Sequence, residues 1–376
     1  MVKIVIIGGG AAGMACAARL AGAGREIVLL ERGDRLGRKL SATGNGQGNV
    51  TNMNMDVSHY FTDDREKAAR ILARCSAHDV ICFLEEMGGL FLPDARGRVY
   101  PAGRQASAVT DLLRRELSLR AVDVRTGTRV EKLAWDGAFR LSFAGGTLRA
   151  DAVVLAAGGA AARQFGTDGT AYALAGAFGH TLTPLSPVLV QLRCDPAAVR
   201  GLKGIRVDAG LRVLRGGRQI YVCRGDVLFT ESGVSGDAVF RASSHARAGD
   251  VLELDFLPDT GPEALAHAVR EGAEGLWCVV SNWLGRHIFR LAHVDRARVL
   301  ALLKAFPLNV TGTLGFDYAH ATRGGIPLAE VTDSLMSKYR SGLYFAGEIL
   351  NVDGECGGYN LHWAFASALA VAEALK

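Results

Sequence analysis

Two glycine-rich segments, one near each end of the chain, contain residue types that suit the binding of a phosphate-bearing cofactor. The first is Gly8–Gly13 (GGGAAG), which directly follows an apolar stretch, and Glu31 comes 18 positions after it. Gly8 permits a tight turn, Gly10 lets the backbone approach a pyrophosphate, and Gly13 allows a helix to pack closely on a strand. Glu31 can accept hydrogen bonds from ribose hydroxyls. The spacing predicts a dinucleotide site with contacts from Gly8, Gly10, Ala11, Ala12, Gly13, Glu31 and Arg32.

The second segment, residues 342–360, passes from a strand-like stretch into a glycine-rich loop that opens an apolar run to Leu375. Such a loop exposes backbone N–H groups, and a helix beginning there favours negative charge. Because the two segments lie almost the whole chain apart, we expect both ends to converge on one large cofactor. This favours flavin over a simple nicotinamide site, with contacts from Gly347, Glu348, Asp353, Gly357, Gly358, Tyr359 and Asn360.

Further cofactor contacts are expected from two intervening segments. Residues 37–52 are polar and glycine-dense, so they cannot form a regular element and must find partners for their backbone groups. They are predicted to follow the ribityl chain and the isoalloxazine ring, with a plain surface loop as the alternative. Small residues after the strand at 151–155 suit a backbone that passes a flat cofactor, although tight packing alone would also select them. Arg38 and Lys39 are expected to approach the pyrophosphate, with solvated side chains as the alternative. The other predicted contacts are Thr43, Gly44, Asn45 and Asn49 of the loop, Ala156, Ala157 and Gly158 after the strand, and Val130 at the end of a separate strand.

The sequence assigns no catalytic residue. Glu348 and Asp353 are expected to bond ribityl hydroxyls or loop amides rather than to act as general acids. His362 and Tyr359 are candidate proton donors, with packed side chains as the alternative. Arg323 could hold an anionic substrate through bidentate pairing with a carboxylate, or belong to a surface turn.

The elements that must position these residues follow from hydrophobic periodicity and turn signals. The pattern predicts strands over 3–7, 27–30, 122–130 and 151–155 and helices over 14–23, 65–90 and 105–119. Hairpins are predicted over 91–100 and 139–149. The texture changes after Pro187, where the pattern predicts a hairpin over 211–222, a strand over 226–229 and helices over 264–276 and 282–306.

Composition excludes several classes of protein. With 376 residues, of which 49% are apolar and 22% charged, the chain is expected to be globular and soluble. The net charge of +5 is small, and the sequence contains no run of five like charges, so no nucleic-acid partner is expected. None of the seven cysteines forms a C-x-x-C pair, which argues against a zinc ribbon. No basic leader or uncharged apolar stretch of about 20 residues is seen, so no membrane segment and a cytoplasmic location are expected.

Several long motifs resemble a known family. They are GGGAAG (8–13), GRKLSATGNGQGNVTN (37–52), GRVYPAGRQAS (97–107), DGTAYALAGAFGHTLTPLSPVLV (168–190), LFTESGVSG (228–236), ATRGGIPLAEV (321–331) and GLYFAGEILNVDGECGGYNLHWAF (342–365). Together they resemble the bacterial flavoprotein oxidoreductases described as aminoacetone-oxidase-like or BaiN-type, some of which are proposed to reduce bile-acid intermediates. The chain departs from this family at Gln47-Gly48, where Arg-Cys is usual, and in a helical insert that looks short.

The resemblance implies an α/β fold with non-covalent FAD on a glutathione-reductase-like Rossmann domain (1–189 and 321–376). It also implies an inserted β-rich domain (190–260 and 307–320) and a helical subdomain (261–306). The implied function is hydride transfer between FAD and a small or hydrophobic organic substrate, with NAD(P)H as a candidate transient co-substrate. A non-catalytic flavin-binding redox sensor or partner-binding protein remains an alternative. So does a fumarate-reductase-like dicarboxylate reductase, for which the available cations are Arg241, His245, Arg286 and His287.

Overall fold

The computed structural model describes residues 1–22, 24–269 and 276–376. These residues form two compact units. The first unit contains Met1–Pro187 together with Ala321–Lys376, so it is built from both ends of the chain. The second unit, Val188–His320, is continuous in sequence.

The regular elements are numbered here in chain order. The strands are β1 Val2–Ile7, β2 Arg25–Leu30, β3 Thr51–Asn52, β4 Tyr60–Thr62, β5 Phe91–Pro93, β6 Arg98–Pro101, β7 Asp123–Arg125, β8 Val130–Trp135, β9 Phe139–Phe143, β10 Gly146–Ala150, β11 Ala152–Leu155, β12 Ser186–Val188, β13 Leu192–Cys194, β14 Arg206–Arg215, β15 Arg218–Phe229, β16 Gly233–Ser235, β17 Val251–Asp255, β18 Phe306–Thr313, β19 Ala321–Arg323, β20 Leu343–Phe345 and β21 Val352–Gly354. The α-helices are α1 Ala11–Leu20, α2 Arg65–Ala73, α3 Ala77–Glu85, α4 Ala106–Leu119, α5 Tyr172–Gly176, α6 Pro196–Val199, α7 Asp237–Ser243, α8 Pro262–Ala268, α9 Asn282–Leu291, α10 Arg296–Lys304 and α11 Tyr359–Ala374.

A parallel five-stranded sheet, ordered β20-β11-β1-β2-β7, forms the centre of the first unit. Strands β1, β2, β11 and β20 contain short buried apolar runs, as expected for a sheet covered by helices, whereas the edge strand β7 is only partly buried. The register aligns Ile7 with Leu155 and Leu155 with Phe345. Three neighbouring strands therefore end at the same edge of the sheet, which is where open α/β folds bind ligands.

Smaller sheets hold the loops of the first unit in place. Strand β3 pairs with β6 and β6 with β5, whereas β21 pairs with β4 through Asp353 opposite Phe61. The antiparallel sheet β10-β9-β8 includes the predicted hairpin at 139–149. The hairpin predicted at 91–100 is also present, as β5 and β6.

The second unit contains a closed barrel, ordered β13-β16-β15-β14-β17-β18. Leu252 and Phe306 of the barrel share one hydrophobic core with Leu265, Leu284 and Val299 of the neighbouring helices. The structure therefore places the segment expected to form a helical subdomain within the same compact unit as the barrel.

Three predicted helices have different bounds in the structure. The helix predicted over 65–90 is interrupted after Ala73, because Ser76 and Asp79 form a capping box that starts a new helix. The helix predicted over 282–306 is also two helices, separated where His293 and Val294 adopt φ values of 51° and 69° and Asp295 caps α10. Part of the helix predicted over 264–276 lies outside the described residues, and the described part, α8, ends at Ala268.

Other corrections concern the strands and the first helix. The predicted strand over 122–130 is divided between β7 and the first residue of β8, which belong to different sheets. The hairpin at 211–222 and the strand at 226–229 are one long antiparallel pair, β14 with β15. Helix α1 begins at Ala11, inside the glycine motif, and ends at Leu20, where Ala21 is extended, so it stops before the predicted end at Ala23, a residue that lies outside the described ones.

Within the described part of the chain, no helix has the length and apolar composition to span a membrane. The same residues contain no group of three His, Cys, Asp or Glu side chains arranged to hold a metal ion.

Candidate cofactor-binding site

The first loop at the sheet edge connects β1 to α1. Gly8 has φ +111°, a conformation that residues with a side chain rarely adopt. A Cβ atom on Gly13 would lie 1.8 Å from the Gly8 carbonyl oxygen, so only glycine allows the helix to start this close to the strand. Gly10 precedes the helix, and a Cβ atom there would meet nothing within 4 Å. The turn therefore presents accessible backbone at the start of α1.

Glu31 and Arg32 follow β2 beside this loop. Glu31 accepts hydrogen bonds from the backbone N–H groups of Gly9 (2.7 Å) and Gly33 (2.6 Å). A carboxylate has about four acceptor positions, so Glu31 retains capacity for further donors such as hydroxyl groups. Arg32 forms an ion pair with Asp168 at 2.7 Å. Burial alone would raise the pKa of Asp168, but hydrogen bonds from Arg32 and Thr170 lower that pKa to about 2.

Gly347, at the end of β20, meets the first helix. A Cβ atom on Gly347 would lie 3.0 Å from the Ala12 side chain. The Gly347 N–H donates to Ser367 Oγ (2.8 Å), and its carbonyl accepts from Trp363 Nε1 (3.1 Å), so α11 holds this loop by both backbone groups. The expected convergence of the two chain ends is present in the structure.

Glu348 joins several loops at the sheet edge. Its Oε2 atom lies 2.6 Å from Lys39 Nζ, and its Oε1 atom accepts from the Thr322 N–H at 2.9 Å. Thr322 Oγ1 in turn accepts the backbone N–H groups of Ala160 and Ala161, each at 2.9 Å. Three loops, after β2, after β11 and after β20, are thus tied to β19. Thr322 was not predicted from the sequence, where a lone threonine before Arg323 gave no signal.

The small residues after β11 lie next to the first loop. A Cβ atom on Gly8 would stand 2.5 Å from the Ala156 carbonyl oxygen and 2.6 Å from the Ala157 Cα atom. Gly158 follows with φ +75°. These residues therefore bring the backbone after β11 against the backbone after β1. Val130 lies at the start of β8, in the antiparallel sheet, and is buried.

Arg323 pairs with Asp353 rather than standing ready for a substrate. The guanidinium donates to the carboxylate from Nε to Oδ1 (3.0 Å) and Oδ2 (3.3 Å) and from Nη2 to Oδ2 (2.8 Å), and it lies 3.9 Å from the centre of the Phe61 ring. Asp353 is 1% exposed, and burial raises its pKa despite the opposing effect of Arg323. Arg323 was a candidate for holding a substrate carboxylate. In the structure it pairs instead with the buried carboxylate of Asp353.

The loop before α11 closes the site at its other end. Gly358, with φ +104°, precedes α11, and no side chain among the described residues caps the backbone N–H groups of that helix. A Cβ atom on Gly358 would lie 2.5 Å from the Thr51 carbonyl oxygen. Asn52 Nδ2 donates to the Gly357 carbonyl (2.9 Å), whereas the buried Oδ1 atom of Asn49 accepts no hydrogen bond within the described structure. This corner has uncapped donors and a buried acceptor that lacks a partner.

Asn360 and Tyr359 begin α11 and have structural partners. The Asn360 amide accepts from the Gly354 N–H (2.9 Å) and donates to the Gly354 carbonyl (2.7 Å), which holds the loop in a closed turn. The Tyr359 ring stacks on His59 at 4.3 Å, and burial raises the pKa of the phenol to about 12. Tyr359 is therefore a packed side chain, the alternative that the sequence left open.

The structure also changes the role of His362. Its side chain is fully buried, with Nε2 3.0 Å from the Cys75 carbonyl oxygen and Nδ1 2.8 Å from Thr51 Oγ1. Burial lowers the pKa of this imidazole to about 4. A neutral ring whose two nitrogens are both engaged is not a proton donor, so that candidate role is wrong.

The segment after Lys39 forms a compact loop. Thr43 Oγ1 donates to the Leu40 carbonyl (2.7 Å), and Gly44 and Asn45 both adopt positive φ values. A Cβ atom on Gly48 would lie 2.8 Å from the Ala106 Cα atom. With this backbone, glycine at 48 avoids a close contact between a Cβ atom and the start of α4.

Two other groups of predicted residues have partners of their own. Arg38 Nη2 donates to the Gln164 carbonyl (2.9 Å). The cations considered for a dicarboxylate site lie in the second unit, where Arg241 pairs with Asp237 at 2.8 Å and His287 contacts the Ala198 carbonyl at 3.0 Å. These contacts do not bring the cations into one set.

Comparison with known proteins identifies the family. The model of the HI0933-like protein Rossmann domain matches residues 2–374. This chain belongs to the HI0933-like family. It is 36% identical to the 3-dehydro-bile acid delta(4,6)-reductase of Clostridium scindens over 98% of this chain and 97% of that protein. It is 28% identical to an Escherichia coli protein named ribosomal RNA dihydrouridine synthase, over 99% of this chain and 97% of that one.

A solved structure supports the fold. The 3-ketosteroid-delta4-(5alpha)-dehydrogenase of Rhodococcus jostii RHA1 is 19% identical, with a TM-score of 0.54, and covers 99% of this chain and 97% of its own. The predicted family and the α/β Rossmann fold are confirmed. The predicted class, an FAD-dependent oxidoreductase, is confirmed as well.

Proposed function

We propose that this enzyme uses FAD to reduce a carbon–carbon double bond conjugated with a carbonyl group in a hydrophobic, steroid-like substrate. The observation that carries the proposal is 36% identity to a bile-acid delta(4,6)-reductase across nearly the whole of both chains. Its name describes the removal of ring double bonds from a compound with an oxidised carbon 3. Such an alkene is an acceptor for hydride because the adjacent carbonyl stabilises the negative charge that develops.

The adenosine end of FAD is assigned to the first loop and the flavin end to the loop before α11. The proposed FAD-binding domain, residues 1–189 and 321–376, is close to the first unit of the structure, Met1–Pro187 with Ala321–Lys376. Three strands that end at one sheet edge support this arrangement. The cofactor contacts are Gly8, Gly10, Ala11, Ala12, Gly13, Glu31, Arg32, Arg38, Lys39, Thr43, Gly44, Asn45, Asn49, Val130, Ala156, Ala157, Gly158, Gly347, Glu348, Asp353, Gly357, Gly358, Tyr359 and Asn360.

The residues at the flavin end fit this cofactor. Asn49 Oδ1 is a buried acceptor that receives no hydrogen bond from the described residues, and a flavin ring offers an N–H group of the kind it needs. The uncapped start of α11 offers backbone N–H groups and the positive end of a helix dipole, which suit the carbonyl side of the ring. The glycines at 357 and 358 keep side chains away from that surface.

FAD, when bound, supplies the hydride transfer, and this chain orients the ring and stabilises its charge. With NAD(P)H as the electron donor, the balanced reaction is NAD(P)H plus H⁺ plus the unsaturated ketone, giving NAD(P)⁺ plus the saturated ketone. The helix start at Gly358 favours negative charge beside it, and neutral His362 adds no positive charge of its own.

A cytoplasmic location is supported by the cysteines, all seven of which are described and none of which forms a disulfide.

Anaerobic spectroscopy on the purified protein tests this function. The expected result is a yellow protein whose flavin absorbance bleaches with NADH or NADPH and recovers on addition of a 3-oxo-4-ene steroid. Recovery with fumarate instead would favour the dicarboxylate reductase. Bleaching without recovery by any acceptor would favour the redox sensor. A colourless protein that FAD does not reconstitute would refute the proposal.

A second candidate substrate is uridine in ribosomal RNA. It is favoured by the 28% identical Escherichia coli relative, whose name refers to dihydrouridine in ribosomal RNA. The 5,6 double bond of uracil is also conjugated with a carbonyl, so the same flavin chemistry would serve. The two candidates separate when reduced enzyme is offered unmodified ribosomal RNA and the steroid in parallel, with dihydrouridine measured by mass spectrometry. This experiment also tests the expected absence of a nucleic-acid partner.

A further inference from the structure

We infer that His362 is a positioning residue at the flavin end of the site. It holds the segment 49–52 at a fixed distance from the start of α11, which follows Gly358. The inference rests on the proposed FAD site and deepens it. The imidazole acts through Thr51, whereas the backbone N–H of His362 donates to the Gly358 carbonyl (2.9 Å).

The hydrogen bonds of His362 determine its tautomer. A carbonyl oxygen can only accept, so the 3.0 Å contact with Cys75 places the ring hydrogen on Nε2. Nδ1 is then an acceptor, and Thr51 Oγ1 must donate to it across 2.8 Å. Both partners are buried, and the lowered pKa keeps the ring neutral near pH 7, so one arrangement is maintained.

Thr51 transmits this constraint to the site. It lies in β3, between Asn49 and Asn52, and its carbonyl oxygen is the atom closest to a Cβ atom built on Gly358. Asn52 binds the Gly357 carbonyl. His362, in the first turn of α11, therefore fastens β3 to the helix that follows Gly358. Loss of this link would allow the segment 49–52 to move away from the helix start.

Variants at both ends of the link test the inference. His362→Phe removes both hydrogen bonds, His362→Gln retains a donor and an acceptor, and Thr51→Val removes one hydroxyl at similar volume. His180→Phe is the matched control. His180 is a buried histidine of the same unit, bonded to Glu330 (2.9 Å) and Ser337 (2.7 Å), and none of the three is assigned to FAD.

We expect His362→Phe and Thr51→Val each to raise the Kd for FAD by about 10- to 100-fold, the effect of losing a buried hydrogen-bond partner. The flavin absorption maxima should shift, and the double variant should be little worse than either single one, because both remove the same contact. His362→Gln should recover part of the affinity. His180→Phe should lower Tm but leave the Kd and the spectrum unchanged.

Several results would overturn the inference. One is wild-type FAD affinity and spectrum in both His362→Phe and Thr51→Val. Another is loss of turnover in His362→Phe and His362→Gln alike with FAD binding intact, because that pattern marks a proton donor. If His362→Phe does not fold, Thr51→Val alone decides. A wild-type protein that cannot bind FAD would refute the proposed function itself, whereas wild-type binding with silent variants refutes only the positioning role.

Discussion

Replacement of Gly358 by alanine should weaken both the fold and FAD binding, whereas the same replacement at a glycine outside the site should weaken the fold alone. The substitution has two consequences that can be separated. A side chain at φ +104° costs about 1–2 kcal/mol wherever it occurs, because the Cβ atom crowds its own backbone. In addition, the new Cβ atom would stand 2.5 Å from the Thr51 carbonyl oxygen, whereas ordinary contact begins near 3.4 Å, so β3 or the helix start must move by about 0.9 Å (3.4 − 2.5).

Gly137→Ala provides the control for the first consequence. Gly137 has φ +101° in a hairpin turn, and a Cβ atom there would meet nothing within 4 Å. Gly137→Ala should lower Tm by about 2–8 °C, as expected for a loss of 1–2 kcal/mol in a unit of this size, and should leave FAD affinity unchanged. A displacement near 1 Å within a site costs up to about 100-fold, so Gly358→Ala should raise the Kd for FAD by about 10- to 100-fold. Titration of each deflavinated variant with FAD, followed by flavin fluorescence, gives the two Kd values. Equal FAD affinity in the two variants would refute the steric reasoning.

Three further predictions concern the ion pairs around the site. Arg323→Met should cost about 3–5 kcal/mol of unfolding free energy at pH 7.5, because it leaves a buried carboxylate without its partner. Burial already raises the folded pKa of Asp353 above its unfolded value, so ionisation opposes folding and the cost should shrink toward pH 5, as urea unfolding at the two pH values would show. Arg70→Met, which breaks the exposed pair with Asp333, should cost at most about 1 kcal/mol in the same assay, and an equal cost would contradict the role of burial. Glu348→Ala should weaken FAD binding by about 5- to 100-fold, because it releases Lys39 and leaves the Thr322 N–H without an acceptor. Glu348→Gln retains an amide oxygen and should lose less affinity in the FAD titration described above.

The central fold could be predicted because its signals are local. Apolar runs followed by glycine-containing loops predicted β1 and β11. The spacing from Gly13 to Glu31 predicted the β-α-β unit formed by β1, α1 and β2. The breaks in the longer helices were missed because periodicity continues through Ser76 and Asp295, whereas capping hydrogen bonds decide where a new helix begins.

The roles of single side chains could not be predicted in the same way. Arg323 and Asp353 are 30 positions apart, and only the pairing of β21 with β4 places the guanidinium against both the carboxylate and Phe61. His362 lies on an apolar helix, where the sequence cannot tell a buried ring from an exposed one. Its partners Thr51 and Cys75 are about 300 positions away, so its neutral state depends on tertiary packing.

The origin of the first unit in both ends of the chain has a consequence for biosynthesis. Helix α1 packs on α11 as well as on α4 and β2, so the face of α1 that meets α11 has no native cover until the ribosome has passed residue 374. The barrel unit, which is continuous in sequence, needs no such delay. Pairings between distant segments form slowly and leave apolar surface exposed meanwhile. The first unit therefore completes its native packing only after α11 has been synthesised, and FAD binding to residues of both segments would report that this point has been reached.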